Sequence, residues 1–368
     1  MPNQATLAQI AKIVETYINP DKIAQKTFAP TYDSTTGLLD KIAKSFFIDG
    51  LFEDKLPELD GDVLPYGKTL EEYYPNLLQV VDFDPTGAST LAPSDPTYMP
   101  ASYSYTLGRK KIKTTYRFDD LERAFSNVSE YQDAVMEITK RLQDTNAAYR
   151  FDKKKQLLAV YAHACETAMS VTTAFAANAA YPVGTNLKSG TAYGVVVKAI
   201  ASNSGLTWET AISGGYIVVL DLVSNADIPT DTASGEAFIK LVKTYVRKSK
   251  FISEGNALNG STIGASEGLL LIVNTSIMPS IEVDTWAGAF HKEDALFDVD
   301  VKEVDDFGND TTGVFAILID RRGCKLHNSY RAVRSQDNAD GDFINYVMHT
   351  EDTAAYSKNT FVHVFKKA

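Results

Sequence analysis

Cysteine is almost absent from this chain: Cys165 and Cys324 are its only two in 368 residues. So sparse a pair builds neither a disulfide framework nor a zinc cluster, and two free buried thiols are expected rather than a bridge. Long apolar runs are also missing. The longest, such as VFAILI at 314–319, falls far short of the about 18 residues that a membrane-spanning helix needs. The opening residues, MPNQATLAQIAKIVETYINP, have no basic start, no extended apolar stretch and no small-residue cleavage site. A signal peptide is therefore not expected, and the chain should act in the cytosol or in something assembled there. Positive charge is in the minority, with 36 Lys and Arg against 47 Asp and Glu and a formal net charge of −11. That argues against a dedicated nucleic-acid binder, which carries a basic face, but not against a protein that encloses nucleic acid without gripping it.

What is present is ordinary in amount and uneven in distribution. Hydrophobic residues make up 44% and charged residues 23%, enough to bury a core without staples at this length. Seven of the 13 prolines lie between Pro57 and Pro100, whereas residues 109–181 contain neither Gly nor Pro. The first region should be extended and the second helical.

Within the first 50 residues, Leu7, Ile10, Ala11, Val14, Tyr17 and Ile18 predict one helix, and Leu38, Leu39, Ile42, Ala43 and Phe46 a second. Either stripe could dock on the chain's own core or form an arm on a neighbour. Residues 51–117 hold strand-like LLQVVDF, a turn-rich DPTGASTLAPSDPTYMP and alternating SYSYTLGRKKIKTTYRF, with Gly108 a turn or bulge candidate. Two strand signals around that tip suggest a long β-hairpin, which has too little apolar surface to stand alone. Tyr131, Val135, Ile138 and Leu142 then mark one face of a helix of 30 or more residues, with Ser126 or Ser129 as its cap and a break near Asp152. Beyond residue 185 come short strands, an amphipathic helix through Phe238, Leu241, Val242, Tyr245 and Val246 with Ser234 as candidate cap, the buried strand LLLIV, and a short helix at 279–290. Strands mixed with helices, without a regular βαβ rhythm, give an α+β fold class.

The search for chemistry is largely negative. GASEG at 264–268 fits G-x-S-x-G with Ser266 as nucleophile, but that elbow needs a strand before it and a helix after, and here a strand follows. GNALNGST at 255–262 spaces its glycines like a phosphate-binding loop but puts Ser261 where the lysine must be. His163 and Glu166 stand at i and i+3, one pair where zinc needs three or four ligands. The acidic runs DVDVKEVDDFGND and QDNADGD lack calcium-loop spacing and read as solvated faces. Arg109, Lys110, Lys111 and Lys113 form the sharpest basic cluster and Lys153, Lys154 and Lys155 another. Either could touch phosphate, and a solvated turn or an intersubunit ion pair is the better reading. No catalytic, metal or cofactor-binding residue is assigned.

Three stretches, LPYGKTLEEYY at 64–74, LLLIVNTSIMPSIEVDTWAGAFHKEDALF at 269–297 and VDDFGNDTTGVFAILIDRRGCKLHNSYR at 304–331, carry a resemblance. In order and spacing the chain resembles the major capsid proteins of tailed bacteriophages with the Hong Kong 97 (HK-97)-like fold, and most closely those of phi-29-type podoviruses. The resemblance implies an N-terminal arm at 1–50, an extended β-hairpin loop at 51–118, a peripheral domain with the spine helix at 119–184, an axial domain at 185–320 and peripheral return strands at 321–368. It implies a structural subunit that self-assembles as pentamers and hexamers into an icosahedral head enclosing double-stranded DNA. Its partners would be copies of itself, a separate scaffolding protein, a portal, and decoration or head-fibre proteins, with no membrane. Assembly candidates are Gly67, Lys68, Glu71, Arg109, Lys110, Lys111 and Lys113. An encapsulin-like compartment shell, a tail- or portal-associated protein and a hydrolase using Ser266 are the alternatives.

Overall fold

A computed structural model of the chain describes residues 52–64, 70–75, 98–100, 102–117, 128–262, 265, 268–281, 297, 299–308 and 313–368. The two helices expected in the first 50 residues, the strand LLQVVDF, and most of the helix expected at 279–290 lie outside the described residues; 278–281 are helical.

In chain order the elements are a single 3₁₀ turn (Pro57–Leu59), β1 (Asp60–Val63), β2 (Tyr73–Pro75), β3 (Tyr98–Pro100), β4 (Ser102–Thr106), β5 (Lys110–Arg117) and the helix α1 (Val128–Ala168). There follow β6 (Asn186–Ser189), β7 (Ala192–Val196), α2 (Trp208–Ser213), β8 (Ile217–Val219), β9 (Val223–Ala226) and α3 (Thr232–Lys248). The last third holds β10 (Ser253–Ala257), β11 (Gly260–Thr262), β12 (Leu269–Asn274), β13 (Asp300–Val304), β14 (Val314–Asp320), β15 (Cys324–Asn338), β16 (Phe343–Ser357) and β17 (Val362–Lys367).

The central sheet runs β13-β12-β14-β17-β9. LLLIVN and VFAILID read as nearly continuous apolar runs because both faces of this sheet are covered. Leu270, Ile272, Ile317 and Ile319 face a core shared with Leu157, Leu158, Tyr161 and Cys165 of α1. Leu269, Leu271, Val273, Phe315 and Leu318 face a second core with Phe238, Val242 and Val246 of α3. The expected amphipathic face of α3 is therefore its buried one. Its cap is Asp231, whose side chain accepts from the Ser234 N–H; Ser234 is the reciprocal partner in this capping box rather than the cap. β17, near the C-terminus, lies between β14 and β9.

The second large sheet is built on a 15-residue antiparallel hairpin, β15 and β16, closed by a four-residue turn between Asn338 and Phe343. The acidic run QDNADGD supplies that turn, with Asp342 at φ 48°. β1 adds to β15 in parallel, and β4 and β5 lie end to end along the other edge of β16. Two residues, Gly108 and Arg109, oppose the single Glu351 where β4 gives way to β5, so Gly108 sits in a bulge rather than a turn. The expected hairpin is thus re-partnered. Its ladder is Tyr73–Pro75 against Tyr98–Pro100, while the strong strand signal at 102–117 pairs with the long edge of β16.

The helix α1 is unbroken for 41 residues, about 60 Å at 1.5 Å per residue. No break occurs at Asp152, and Ser129 lies inside the helix; Ser126 is outside the described residues.

Candidate assembly surface

The inward stripe of α1 runs Leu142, Asn146, Arg150, Lys154, Leu157, Leu158, Tyr161 and Cys165, all buried. Its middle is charged. The Arg150 guanidinium donates to Asp352 on β16, to Asp60 on β1 at 2.7 Å, and to the Leu326 carbonyl at 3.2 Å. One turn on, the wholly buried Lys154 ammonium donates to Asp54 and to the Leu56 carbonyl at 2.8 Å, and stands 2.9 Å from Asp60. Burial opposes the Asp60 charge, yet Lys154 and Arg150 hold its carboxyl below the usual range. Asn328 and Thr350 complete the shell around Asp352. This node ties the spine helix, the long hairpin and residues 54–60, where the extended segment begins, into one unit. Sequence reading missed it because Arg150 and Lys154 look like surface residues. The available signal was their spacing of four, in line with Leu142, Asn146 and Leu158.

The basic cluster at 153–155 lies within α1 rather than in a turn. Successive helical residues point about 100° apart, so Lys154 enters the node, Lys155 reaches Asp305 at 2.7 Å, and Lys153 bonds Gln156 at 2.7 Å.

Further along the sheet, Arg109 leaves the bulge, donates to Glu351 at 3.2 Å and lies over the Tyr330 ring at 4.2 Å. Lys110, Lys111 and Lys113 are exposed on β5. Their register against His349, Val347 and Thr350 puts Lys111 and Lys113 on the face turned away from α1. That face is identified by its opposite: Tyr356 stacks on Tyr161 of the helix at 4.9 Å, and Met348, Tyr346 and Ile344 on the same side are buried. Glu71 is exposed near the root of the extended segment; beside it the Leu70 N–H donates to Ser104, and the Ser357 hydroxyl donates to Glu72 at 2.6 Å. Gly67 and Lys68 lie outside the described residues. The structure thus gathers Arg109, Lys110, Lys111 and Lys113 on one sheet edge, with Glu71 at the loop root.

The remaining motifs stay apart. GNALNGST forms the β10–β11 hairpin, with Leu258 and Asn259 at its turn and Gly255 at φ 85° packed against the Val219 carbonyl; a side chain there would strike that oxygen. Glu166 pairs with Lys366 at 3.0 Å, and His163 is exposed. Ser266 lies outside the described residues. No group of three or more His, Cys, Asp or Glu among the described residues could hold a metal. Cys165 and Cys324 are free and buried, and burial drives both thiols up. His363 is wholly buried between the Asp221 carbonyl and the Ser224 hydroxyl and stacks on Tyr245. Among the described residues no helix is long and apolar enough to cross a membrane.

Solved structures give the fold its relatives. The capsid of Staphylococcus phage Andhra aligns with TM-score 0.55 and 10% identity over 90% of this chain and 88% of that one. A chain from the structure of the head fiber and inner core protein gp22 of bacteriophage P68 gives 0.54 and 13%, covering 93% and 91%. The capsid of Cyanophage P-SCSP1u gives 0.52 and 10%, covering 93% and 99%. At such identities the likeness establishes a mixed α+β fold held in common with phage capsid structures. No curated protein sequence matches the chain. A sequence model of the Phi29-like phage major capsid protein family does, over residues 2–366, and it favours neither the compartment-shell nor the hydrolase alternative. With all but three residues inside that match, the chain belongs to the Phi29-like phage major capsid proteins and is a structural subunit of the virion's capsid.

Proposed function

We propose that the chain tiles an icosahedral head as pentamers and hexamers around double-stranded DNA, using an HK-97-like division of labour. Residues 1–50 are the arm, 51–118 the extended loop, 119–184 the peripheral domain with its spine, 185–320 the axial domain, and 321–368 the return strands. A separate scaffolding protein guides assembly in the bacterial cytoplasm, and a portal and head-fibre or decoration proteins complete the particle. The observation that carries this reading is the family match over residues 2–366. The 41-residue spine clamped to a long hairpin adds a rigid body on which an extended loop is rooted. Modest contacts repeated around a closed lattice sum to a stable shell. Negative-stain electron microscopy of the overexpressed chain, with and without co-expressed scaffold, tests it. Shells, tubes or hexamer sheets are expected; a monodisperse monomer in both samples refutes it.

A further inference from the structure

Two serine hydroxyls hold the segment that leads into the β2–β3 ladder. Residues alternate along a strand, and Tyr356 stacks on Tyr161 of α1, so Ala355 and Ser357 of β16 face outward. β4 sets Ser104 opposite Ala355 on that face. The Leu70 N–H donates to Ser104 Oγ at 3.1 Å, and two residues later the Ser357 hydroxyl donates to the Glu72 carboxylate at 2.6 Å. Glu72 immediately precedes β2, so this bond acts just ahead of the ladder. The same hydroxyl is tied inward. It accepts from the Asn359 N–H at 3.1 Å, and Asn359 Oδ1 accepts from the side chain of Asn259, on the turn between β10 and β11, at 2.9 Å. The Asn259 N–H donates to the Lys358 carbonyl at 3.0 Å. Ser357 also ends β16, just before the chain crosses to β17 in the central sheet. One buried side chain therefore joins the root of the ladder, the long hairpin and the β10–β11 turn.

Beside the bond lies an open cleft of about 210 Å³, lined by Glu72 and Ser357 and also by Lys325 and His327, which offer a carboxylate other donors. Glu72 thus has a second place to go once the Ser357 hydroxyl is removed. We propose that Glu72 and Ser357 are a positioning pair for assembly: their bond selects the direction in which the extended loop leaves the sheet. The inference rests on the assembly reading above and names the residues that aim the loop. A strand extends about 3.3 Å per residue, so about ten residues out a swing of about 10° displaces the chain by about 6 Å, more than the spacing of about 4.8 Å between paired strands. An O–H···O⁻ bond this short is among the stronger kinds. Its acceptor is only half-buried, however, so water re-solvates the carboxylate when the bond is lost. Loss therefore misdirects the loop without unfolding the chain.

The test is a double-mutant cycle read two ways on the full chain with its scaffold: melting temperature, and yield of closed shells by sedimentation and negative-stain microscopy. Glu72→Ala and Ser357→Ala should each melt within about 3 °C of the native chain. Each should lower the yield of closed shells about tenfold, with the missing protein in open or misshapen particles. The double variant should do no worse than either single one, because both remove the same bond. Glu72→Gln keeps an acceptor for the hydroxyl and should retain most of the native yield. Undiminished closed shells from either alanine variant overturn the proposal, as do losses that add in the double variant or a Glu72→Gln chain as defective as Glu72→Ala. Loss of shells together with a fall in melting temperature of about 10 °C or more makes the bond merely structural and overturns it too. A native chain that forms no shells refutes the assembly reading itself, and this inference with it.

Discussion

At the scale of single residues, the strongest commitments are polar groups held where water is absent. Lys154 is wholly buried and satisfies Asp54, Asp60 and the Leu56 carbonyl. Removing one member of such a cluster leaves its partners' charges uncompensated, which outweighs the small net worth of the pair itself. Lys154→Ala should lower stability by about 2–3 kcal/mol, less than for a fully buried pair because Asp60 is partly exposed. Urea unfolding at unchanged m-value checks this, and a midpoint equal to the native one would show that water replaces the ammonium. His363 sets a pH dependence. Burial outweighs the nearby Asp221 and lowers its pKa from 6.5 to about 4. The unfolded chain binds this proton more readily, so the residue's contribution is full above about pH 6.5 and is lost as pH falls towards 4. Between pH 7.5 and 4.5 the native chain should lose about 2–3 kcal/mol more than His363→Gln does. Parallel losses in the two proteins would mean that the ring is not the titrating group. Lys154 was not legible as a buried group, because a lysine in a run of three looks like a surface residue, whereas His363 in an apolar strand reads as a partly buried polar group and is wholly buried. Only the three-dimensional partners, 94 to 142 positions away in sequence, reveal this depth.

Elements were legible in proportion to how local their causes are. The spine follows from a Gly- and Pro-free stretch, α3 from its apolar stripe, and β12 and β14 from runs buried on both faces. Strand pairing was less legible, because β16 recruits β4 and β5 across 226 to 255 positions. The strand signal at 102–117 was sound and its partner was not encoded nearby. That pairing also determines what a loop deletion should do. Removing residues 84–100 takes away β3 and its short ladder with β2 but leaves β4, β5 and the node at Arg150 intact. The shortened chain should unfold cooperatively, as a folded monomer does, and should form no shells with scaffold present. Normal shells would show that the loop is not a clasp.

Across the whole molecule, the sign of the net charge and the placement of the cations point in opposite directions. The total of −11 opposes contact with packaged DNA, whereas Lys111, Lys113, Arg117 and Arg334 make one face locally attractive to phosphate. Magnitude decides between them. Four phosphate contacts give a salt slope of about −3 to −4 in log K against log salt, so whatever attraction that face exerts fades steeply towards physiological ionic strength. The remaining surface is repulsive over the same Debye length. Duplex DNA mixed with the isolated chain should therefore show weak binding at about 10 mM salt and none at sub-micromolar concentration near 150 mM. Fluorescence anisotropy of a labelled duplex across that salt range measures it directly. A sub-micromolar dissociation constant at 150 mM would mean that the face, not the total, governs how the shell treats its contents, and that DNA is held rather than merely enclosed.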